Sequence, residues 1–266
     1  MHIAAPIFLL MSFAMASSFS AAAQPVALYA AGSLRAPLTD IAKAFAAENG
    51  TTVETKFGPS GTLKDEIAGG APAGVFASAN MEHPQALQAA GKSGPVTRFA
   101  RNALCALVRS GLSVDSANLL DRMLDPTVKL GTSTPKADPS GDYAFDVFGK
   151  AEKLRPGARA ILAQKALQLT GSATSMQPPR GRAVYGWHVA EGRADIFLAY
   201  CTAAREAKQQ NPDQQIVALP DNLAVAADYG LTVINGAPPA AAQLAAYILS
   251  PAGQRVLASY GFGAAK

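Results

Sequence analysis

Three serines lie where a predicted strand gives way to a predicted helix, and these turns are the part of the sequence best suited to chemistry. Ser33 follows the apolar run Val26–Tyr29, Ser60 follows the alternating segment Thr52–Phe57, and Ser140 lies in a turn rich in proline and glycine. Each turn combines a hydroxyl group with free backbone N–H groups at the positive end of a helix dipole, which together favour an anion. For Ser33 alone, an N-cap that accepts a hydrogen bond from a backbone N–H is the commoner role.

Two other segments imitate nucleotide-binding and catalytic motifs but lack an essential residue. Gly91-Lys92-Ser93 matches the end of a phosphate-binding loop, but Ala86 stands where the motif requires glycine. The segment Gly58–Thr62 imitates the nucleophile elbow of a serine hydrolase, but it ends in threonine where that motif has glycine. An exported hydrolase using Ser60 is therefore an alternative that the motif supports only weakly.

A serine nucleophile also needs a general base, and the candidates are poor. His83 lies in a polar turn and His188 in the middle of a predicted helix, where surface and core roles are usual. Asp138 and Asp142 flank Ser140, and turn and cap chemistry is the expected role of both. No cluster has the ligand spacing of a zinc or calcium site, so we expect no metal ligands, no cofactor and no enzyme activity.

The predicted elements that position these serines alternate between strands and helices, which is typical of a parallel sheet with helices on both faces. Ligands of such sheets bind beyond the carboxyl ends of the strands, and Ser33 and Ser60 are both expected at that edge. Further along the chain, the patterns predict a strand over Asn102–Val108, helices over 156–169 and 180–191, a buried strand over Ile196–Tyr200 and a helix over about Pro239–Leu249.

The composition indicates a folded, exported protein with a weakly positive surface. Hydrophobic residues make up 49% of the chain and charged residues 16%, which argues against disorder. The formal charge of +4 comes from scattered basic residues, so we expect no nucleic-acid partner. Residues 1–23 form an apolar run that ends in Ala21-Ala22-Ala23, and they predict a cleaved signal peptide.

Cys105 and Cys201 are the only cysteines, and export would bring both into an oxidising compartment. A single disulfide and two separate buried thiols are both compatible with the sequence. The bridge requires the two Cα atoms to lie within roughly 7 Å, which spacing along the chain does not decide.

Several segments, taken in order, resemble one known family. They are Ala30–Leu34, Gly58–Leu63, Pro139–Ala144, Glu191–Tyr200, Leu249–Gln254 and Tyr260–Phe262. In this order and at about this spacing, they resemble the periplasmic molybdate-binding proteins of ABC transporters, which are type 2 periplasmic binding proteins. The resemblance covers nearly all of residues 25–262.

The resemblance implies a two-lobed α/β fold in which each lobe is a mostly parallel sheet flanked by helices. Lobe one would comprise residues 24–100 and 221–266, and lobe two residues 101–220, with hinges near 101 and 221. The protein would be a periplasmic monomer that captures molybdate or tungstate in the cleft between the lobes. It would then deliver the oxyanion to the membrane permease of an ABC transporter.

The resemblance also implies a ligand set composed of hydrogen-bond donors. Ser33 and Ser60 match the two serines of the family, and Tyr200 matches its tyrosine. Ser140 falls where the family has a backbone donor, and counting back from Tyr200 places the remaining donor at Arg182.

The sequence departs from the family pattern in three places, and two of these departures leave the choice of oxyanion open. Ser140 replaces a small apolar residue, Arg182 (with the nearby Arg180) adds positive charge, and Cys201 follows Tyr200. Molybdate and tungstate carry no proton at neutral pH, so a site made of donors suits them, whereas phosphate keeps a proton and needs an acceptor. Sulfate is also free of protons and remains an alternative that only the size of the cavity could exclude.

Overall fold

The computed structural model describes Met1 and residues 24–264. Apart from Met1, the predicted signal peptide over residues 1–23 lies outside the described residues. Within residues 24–264, no helix combines the length and the apolar character needed to cross a membrane. The predicted α/β class is confirmed, because strands and helices alternate along the described chain.

The strands and helices are numbered in chain order. The strands are β1 Val26–Ala31, β2 Val53–Gly58, β3 Val75–Ser78, β4 Thr97–Val108, β5 Leu130–Ser133, β6 Leu167–Thr170, β7 Ile196–Tyr200, β8 Gln215–Ala218 and β9 Ala226–Val233. The helices are α1 Arg35–Asn49, α2 Ser60–Ala68, α3 Glu82–Ala89, α4 Leu119–Leu124, α5 Pro139–Leu154, α6 Ala158–Lys165, α7 Val184–Ala190, α8 Cys201–Gln210, α9 Pro239–Leu249 and α10 Pro251–Ser259.

The strands form a sheet in the order β2-β1-β3-β9-β4-β7-β5-β6, and β8 pairs with β4. The long strand β4 belongs to both halves of it. Its residues 97–103 pair with β9, and its residues 104–108 pair with β7. We therefore call β2, β1, β3, β9 and the first part of β4 the sheet of lobe one, and the rest of β4 with β8, β7, β5 and β6 the sheet of lobe two.

Parallel and antiparallel pairs occupy different places in the sheet. The parallel pairs are β1 with β2 and β3, and β5 with β6 and β7. Every pair that involves β4 or β9 is antiparallel, and these two strands lie where the lobes join. Strand pairing changes between residues 103 and 104, close to the hinge predicted near 101; the exact lobe boundaries stay a prediction.

The core follows from the hydrophobic spacing of the elements. On α1, Leu38, Ile41 and Phe45 recur at intervals of three and four residues and are buried, as expected for an amphipathic helix. All five residues of β7 are buried, because β7 lies between β4 and β5 in the interior of the sheet. A continuous apolar run is typical of such a strand.

Two predicted helices have different limits in the structure. The helix predicted over 156–169 ends at Lys165, and Leu167–Thr170 forms β6 instead, because it pairs with the edge of β5. The helix predicted over 180–191 begins only at Val184. Gly181 has a positive φ of 78°, which interrupts helical geometry before that point.

Cys105 and Cys201 form a disulfide, with their Cα atoms 4.9 Å apart. The bridge joins β4 to the first residue of α8, and it decides between the two alternatives that the sequence left open. Because Cys201 directly follows Tyr200, the bridge also anchors the end of β7 to its neighbour β4.

Candidate ligand-binding site

Ser33 lies in a 3-10 turn, Gly32–Leu34, that joins β1 to α1. Its Oγ lies 3.0 Å from the hydroxyl of Tyr229 on β9. The predicted N-cap role of Ser33 was wrong, because no side chain caps this turn or α1. The extended backbone that a capping residue adopts is found at Ala31, two residues earlier. The hydroxyl of Ser33 is therefore directed at another side chain and not at its own helix.

Ser60 and Tyr200 converge on the same backbone residue from opposite lobes. The Oγ of Ser60 accepts a hydrogen bond of 3.1 Å from the N–H of Ala79, and the hydroxyl of Tyr200 donates one of 3.3 Å to the carbonyl oxygen of Ala79. Both side chains are buried. The structure thus brings these two predicted site residues together, at the carboxyl ends of strands as the α/β architecture requires.

Tyr229 connects Ser33 to this pair. Its ring packs edge-on against the ring of Tyr200, with centroids 5.5 Å apart. Asn102 donates a hydrogen bond to the Tyr229 hydroxyl at 3.2 Å and another to Thr202 at 2.8 Å. Burial raises the pKa of both Tyr200 and Tyr229, so both hydroxyls keep their protons and can serve as donors.

Tyr229 was not among the residues that the sequence singled out. The available signal was a tyrosine within the largely apolar segment Ala226–Val233, which forms β9 and in which Tyr229 is fully buried. A buried tyrosine usually has a hydrogen-bond partner for its hydroxyl. This rule would have suggested a hydrogen-bond partner for Tyr229, but it could not have identified that partner as Ser33.

Ser140 lies in the first turn of α5, and its backbone N–H already has a partner. The carboxylate of Asp138 accepts a hydrogen bond of 3.1 Å from this N–H and thereby caps α5. Asp142 accepts from the N–H of Lys136 at 2.8 Å. Turn and cap chemistry is therefore confirmed for both carboxylates.

Hydroxyl groups surround Asp138. The side chains of Ser133 and Ser140 are fully buried, and neither hydroxyl has a well-aligned hydrogen-bond partner. Tyr185, on α7, is also buried, and its pKa is raised by burial and then by the charge of Asp138. Burial raises the pKa of Asp138 to about 6, against the opposing effects of the Ser140 N–H and the Ser133 hydroxyl. A site next to Asp138 therefore contains one potential acceptor among several donors.

The two lobes touch at the start of α2. The N–H of Gly61 donates a hydrogen bond of 2.9 Å to the carbonyl oxygen of Ala137 in lobe two. A Cβ atom on Gly61 would lie 2.1 Å from the carbonyl oxygen of Lys136, so only glycine allows this approach. This hydrogen bond joins the two lobes directly beside Asp138.

The structure does not bring Arg182 to the other predicted site residues. Its side chain is exposed, and its guanidinium donates a hydrogen bond of 3.1 Å to Asn211. Its backbone N–H bonds to the carbonyl oxygen of Pro179, because the turn before α7 closes on itself. The next N–H, that of Ala183, is capped by Gln210 at 2.7 Å.

The geometry around Ser60 does not support the alternative of a serine hydrolase. The Ser60 hydroxyl is fully buried and accepts from Ala79, and within residues 24–264 no histidine shares a hydrogen bond with it. A surface cavity of about 520 Å³ lies elsewhere on lobe two, beside Arg109 and Gln214, and contains none of the predicted site residues.

Comparisons with known proteins agree with this architecture. Residues 26–263 match a family described as bacterial extracellular solute-binding protein. The protein PM1146 of Pasteurella multocida is 35% identical over 209 residues, which are 78% of this chain and 86% of that protein.

Relatives with a named ligand are more distant in sequence. The molybdate-binding protein ModA of Azotobacter vinelandii is 28% identical over 253 residues, which are 92% of each chain. The solved structure of the periplasmic molybdate-binding protein of that organism aligns with a TM-score of 0.70 and 19% identity, over 89% of this chain and 98% of its own. The sulfate-binding protein SubI of Mycobacterium tuberculosis aligns with a TM-score of 0.71 and 18% identity, over 90% of this chain and 86% of its own. These likenesses confirm the predicted two-lobed periplasmic binding protein fold.

Proposed function

Since the chain belongs to the bacterial extracellular solute-binding protein family, we propose that it captures molybdate, or tungstate, in the cleft between its lobes and delivers it to an ABC transporter. The convergence of Ser33, Ser60 and Tyr200 is the single observation that carries this proposal. Three hydroxyl groups from both lobes lie within one continuous hydrogen-bonded and ring-packed cluster.

The chemistry of the cluster suits an anion that only accepts hydrogen bonds. Serine and tyrosine hydroxyls rotate, so a bound oxyanion can replace the bonds that Ser33 makes to Tyr229 and that Tyr200 makes to Ala79. A hydrogen bond to a charged acceptor contributes about 1.5–3 kcal/mol, roughly twice a neutral one, so the exchange favours binding. The side chain of Arg182 has no part in this proposal, because it bonds to Asn211 instead.

We propose that the lobes are residues 24–100 with 221–266 and residues 101–220, as the sequence predicts, and that they move about hinges near 101 and 221. The contact between Gly61 and Ala137 supports a closed form in which the cleft is sealed. A membrane permease would recognise this closed form. We further propose that residues 1–23 direct export, that the mature protein is a periplasmic monomer, and that it catalyses no reaction.

Calorimetric titration with molybdate tests the site. We expect Ser33→Ala and Ser60→Ala each to weaken binding at least tenfold, because each removes one charge-assisted donor. Ser259→Ala is the matched control, since this exposed serine on α10 bonds only to its own helix at Val256. Wild-type affinity in both site variants would rule the site out.

Sulfate is the second candidate ligand, because a structural neighbour binds sulfate and because sulfate also lacks a proton at neutral pH. Donor chemistry cannot separate the two anions, so the size of the cavity must decide. Titrating the purified protein with molybdate, tungstate and sulfate in turn distinguishes them. If the dissociation constant for sulfate is the smallest of the three, sulfate replaces molybdate as the proposed ligand, and the proposed site is unchanged.

A further inference from the structure

The Asp138 carboxyl group accepts a hydrogen bond from the Ser140 N–H, the backbone donor that the family resemblance assigns to the ligand. Its Oδ1 accepts the N–H of Ser140 at 3.1 Å, at the start of the 16-residue helix α5. The preceding residue, Ala137, contacts Gly61 across the cleft. Asp138 therefore lies one residue from the point where the two lobes touch, and its charge acts on Tyr200.

The groups that face Asp138 come from every element packed around it. They are the Ser140 N–H and Asp142 from α5, the Ser133 hydroxyl from β5, Tyr185 from α7, Tyr200 from β7 and the backbone at Gly171 after β6. Asp142 is the charged member of this set, and its charge is negative. Lys136, in the same turn, is exposed, and its charge acts on Asp142.

This arrangement matters for a ligand that carries two negative charges and no proton. An ionised carboxylate and a dianion repel each other strongly in a buried site, and neither has a proton to share with the other. The Ser133 and Ser140 hydroxyls can donate to one of the two anions but cannot remove the repulsion between them. Protonation of the Asp138 carboxyl group removes this repulsion and also provides a further hydrogen-bond donor.

We propose that the cleft holds a proton-free dianion only when Asp138 is protonated, so that binding takes up one proton from solvent wherever the free protein holds this carboxyl group ionised. The proposal rests on the proposed function of the cleft as an oxyanion site. One carboxyl oxygen keeps accepting from the Ser140 N–H. The other carries the proton and donates it in a hydrogen bond to the ligand.

Protonation of Asp138 is within reach near neutral pH. Burial raises the pKa of Asp138 to about 6 before a ligand arrives, and a bound dianion raises it further. Molybdate affinity is then expected to fall as pH rises through 6. For uptake of one proton, the dissociation constant increases about 50-fold between pH 6 and pH 8.

Hydrogen phosphate provides an internal contrast because it brings its own proton. An ionised Asp138 can accept that proton in a hydrogen bond, so the affinity for hydrogen phosphate is expected to decline much less above pH 6 than the affinity for molybdate. A general effect of pH on the protein would weaken the binding of both anions alike. A stronger decline for molybdate than for hydrogen phosphate therefore points to the carboxyl group of Asp138.

The test is calorimetric titration of the protein with molybdate at pH 6, 7 and 8, in pairs of buffers with different heats of ionisation. We expect uptake approaching one proton per molybdate at pH 8 in the wild type. Asp138→Asn keeps a capping side chain on α5 and should bind molybdate with no pH trend and no proton uptake. Asp142→Asn, which leaves Asp138 in place, should keep both the trend and the uptake.

A flat pH profile with no proton uptake in the wild type would overturn the inference and leave the oxyanion site standing. So would a pH trend that persists in Asp138→Asn. The absence of any response to molybdate, tungstate and sulfate at every pH would instead overturn the proposed function, and the inference with it. Because the uptake is measured on the wild type, a variant that fails to fold does not remove the test.

Discussion

Replacing Gly61 by alanine should hold the lobes apart. The new Cβ would lie 2.1 Å from the carbonyl oxygen of Lys136 and 2.8 Å from that of Ala137. Both are backbone atoms that cannot rotate away, so α2 and this turn must separate by about 1 Å or more to reach ordinary contact. The separation also breaks the hydrogen bond of 2.9 Å from the Gly61 N–H to Ala137.

The cost falls on the closed form alone. Overpacking of this kind costs about 1–3 kcal/mol and the lost hydrogen bond about 1 kcal/mol, so oxyanion affinity should fall by about 30-fold to 800-fold. Alanine is a better helix former than glycine by about 1 kcal/mol, but this gain is present in open and closed forms alike and does not offset the loss.

Two measurements together test the effect of Gly61→Ala. Calorimetry should give the weaker affinity, and small-angle X-ray scattering with saturating molybdate should give a larger radius of gyration than the wild type. Gly149→Ala on α5 is the matched control, because its Cβ would meet nothing within 4 Å. If Gly61→Ala binds and scatters like the wild type, the contact at Lys136 does not control closure.

Three further variants probe stability and the site. Removing the disulfide by Cys105→Ser with Cys201→Ser should lower the free energy of unfolding by about 2–4 kcal/mol, and an unchanged denaturant midpoint would contradict this. The pKa of Asp138 is raised to about 6 in the folded state, so its stabilising contribution is present at low pH and lost as pH rises through 6. Asp138→Asn should therefore raise the thermal midpoint relative to wild type more at pH 8 than at pH 5, and equal shifts would refute the reasoning. Tyr200→Phe should weaken molybdate binding about tenfold with the fold retained, because the ring still packs but the hydroxyl, which bonds to Ala79 in the free protein and would donate to the bound oxyanion, is absent; calorimetry and circular dichroism check both parts.

Local patterns predicted the elements whose spacing is regular. The helix predicted over Pro239–Leu249 has those limits in the structure, because its apolar face is continuous and proline marks both its start and the start of the next helix. The strand predicted over Ile196–Tyr200 is also found with those limits. The sequence predicts a helix over 167–169, where the structure has β6, because a short alternating run carries little signal until its partner strand β5 is known.

The candidate site depended on contacts that no local pattern contains. Ser33 looked like a helix cap, yet its hydroxyl bonds to Tyr229, which lies 196 residues further along the chain. Tyr185 reaches the surroundings of Asp138 only because α7 packs beside β7, a relation set by the sheet order. Arg182 was placed by counting residues, and the turn at Gly181 moves its side chain to the outside.

The most direct test of the central claim is anomalous X-ray diffraction from crystals grown with molybdate near pH 6, which locates the molybdenum atom without any assumption about its ligands. We expect one strong peak in the cleft, with its oxyanion within hydrogen-bond distance of Ser33, Ser60 and Tyr200. A peak at another surface, or molybdate oxygens bonded to none of these three hydroxyls, would contradict the claim.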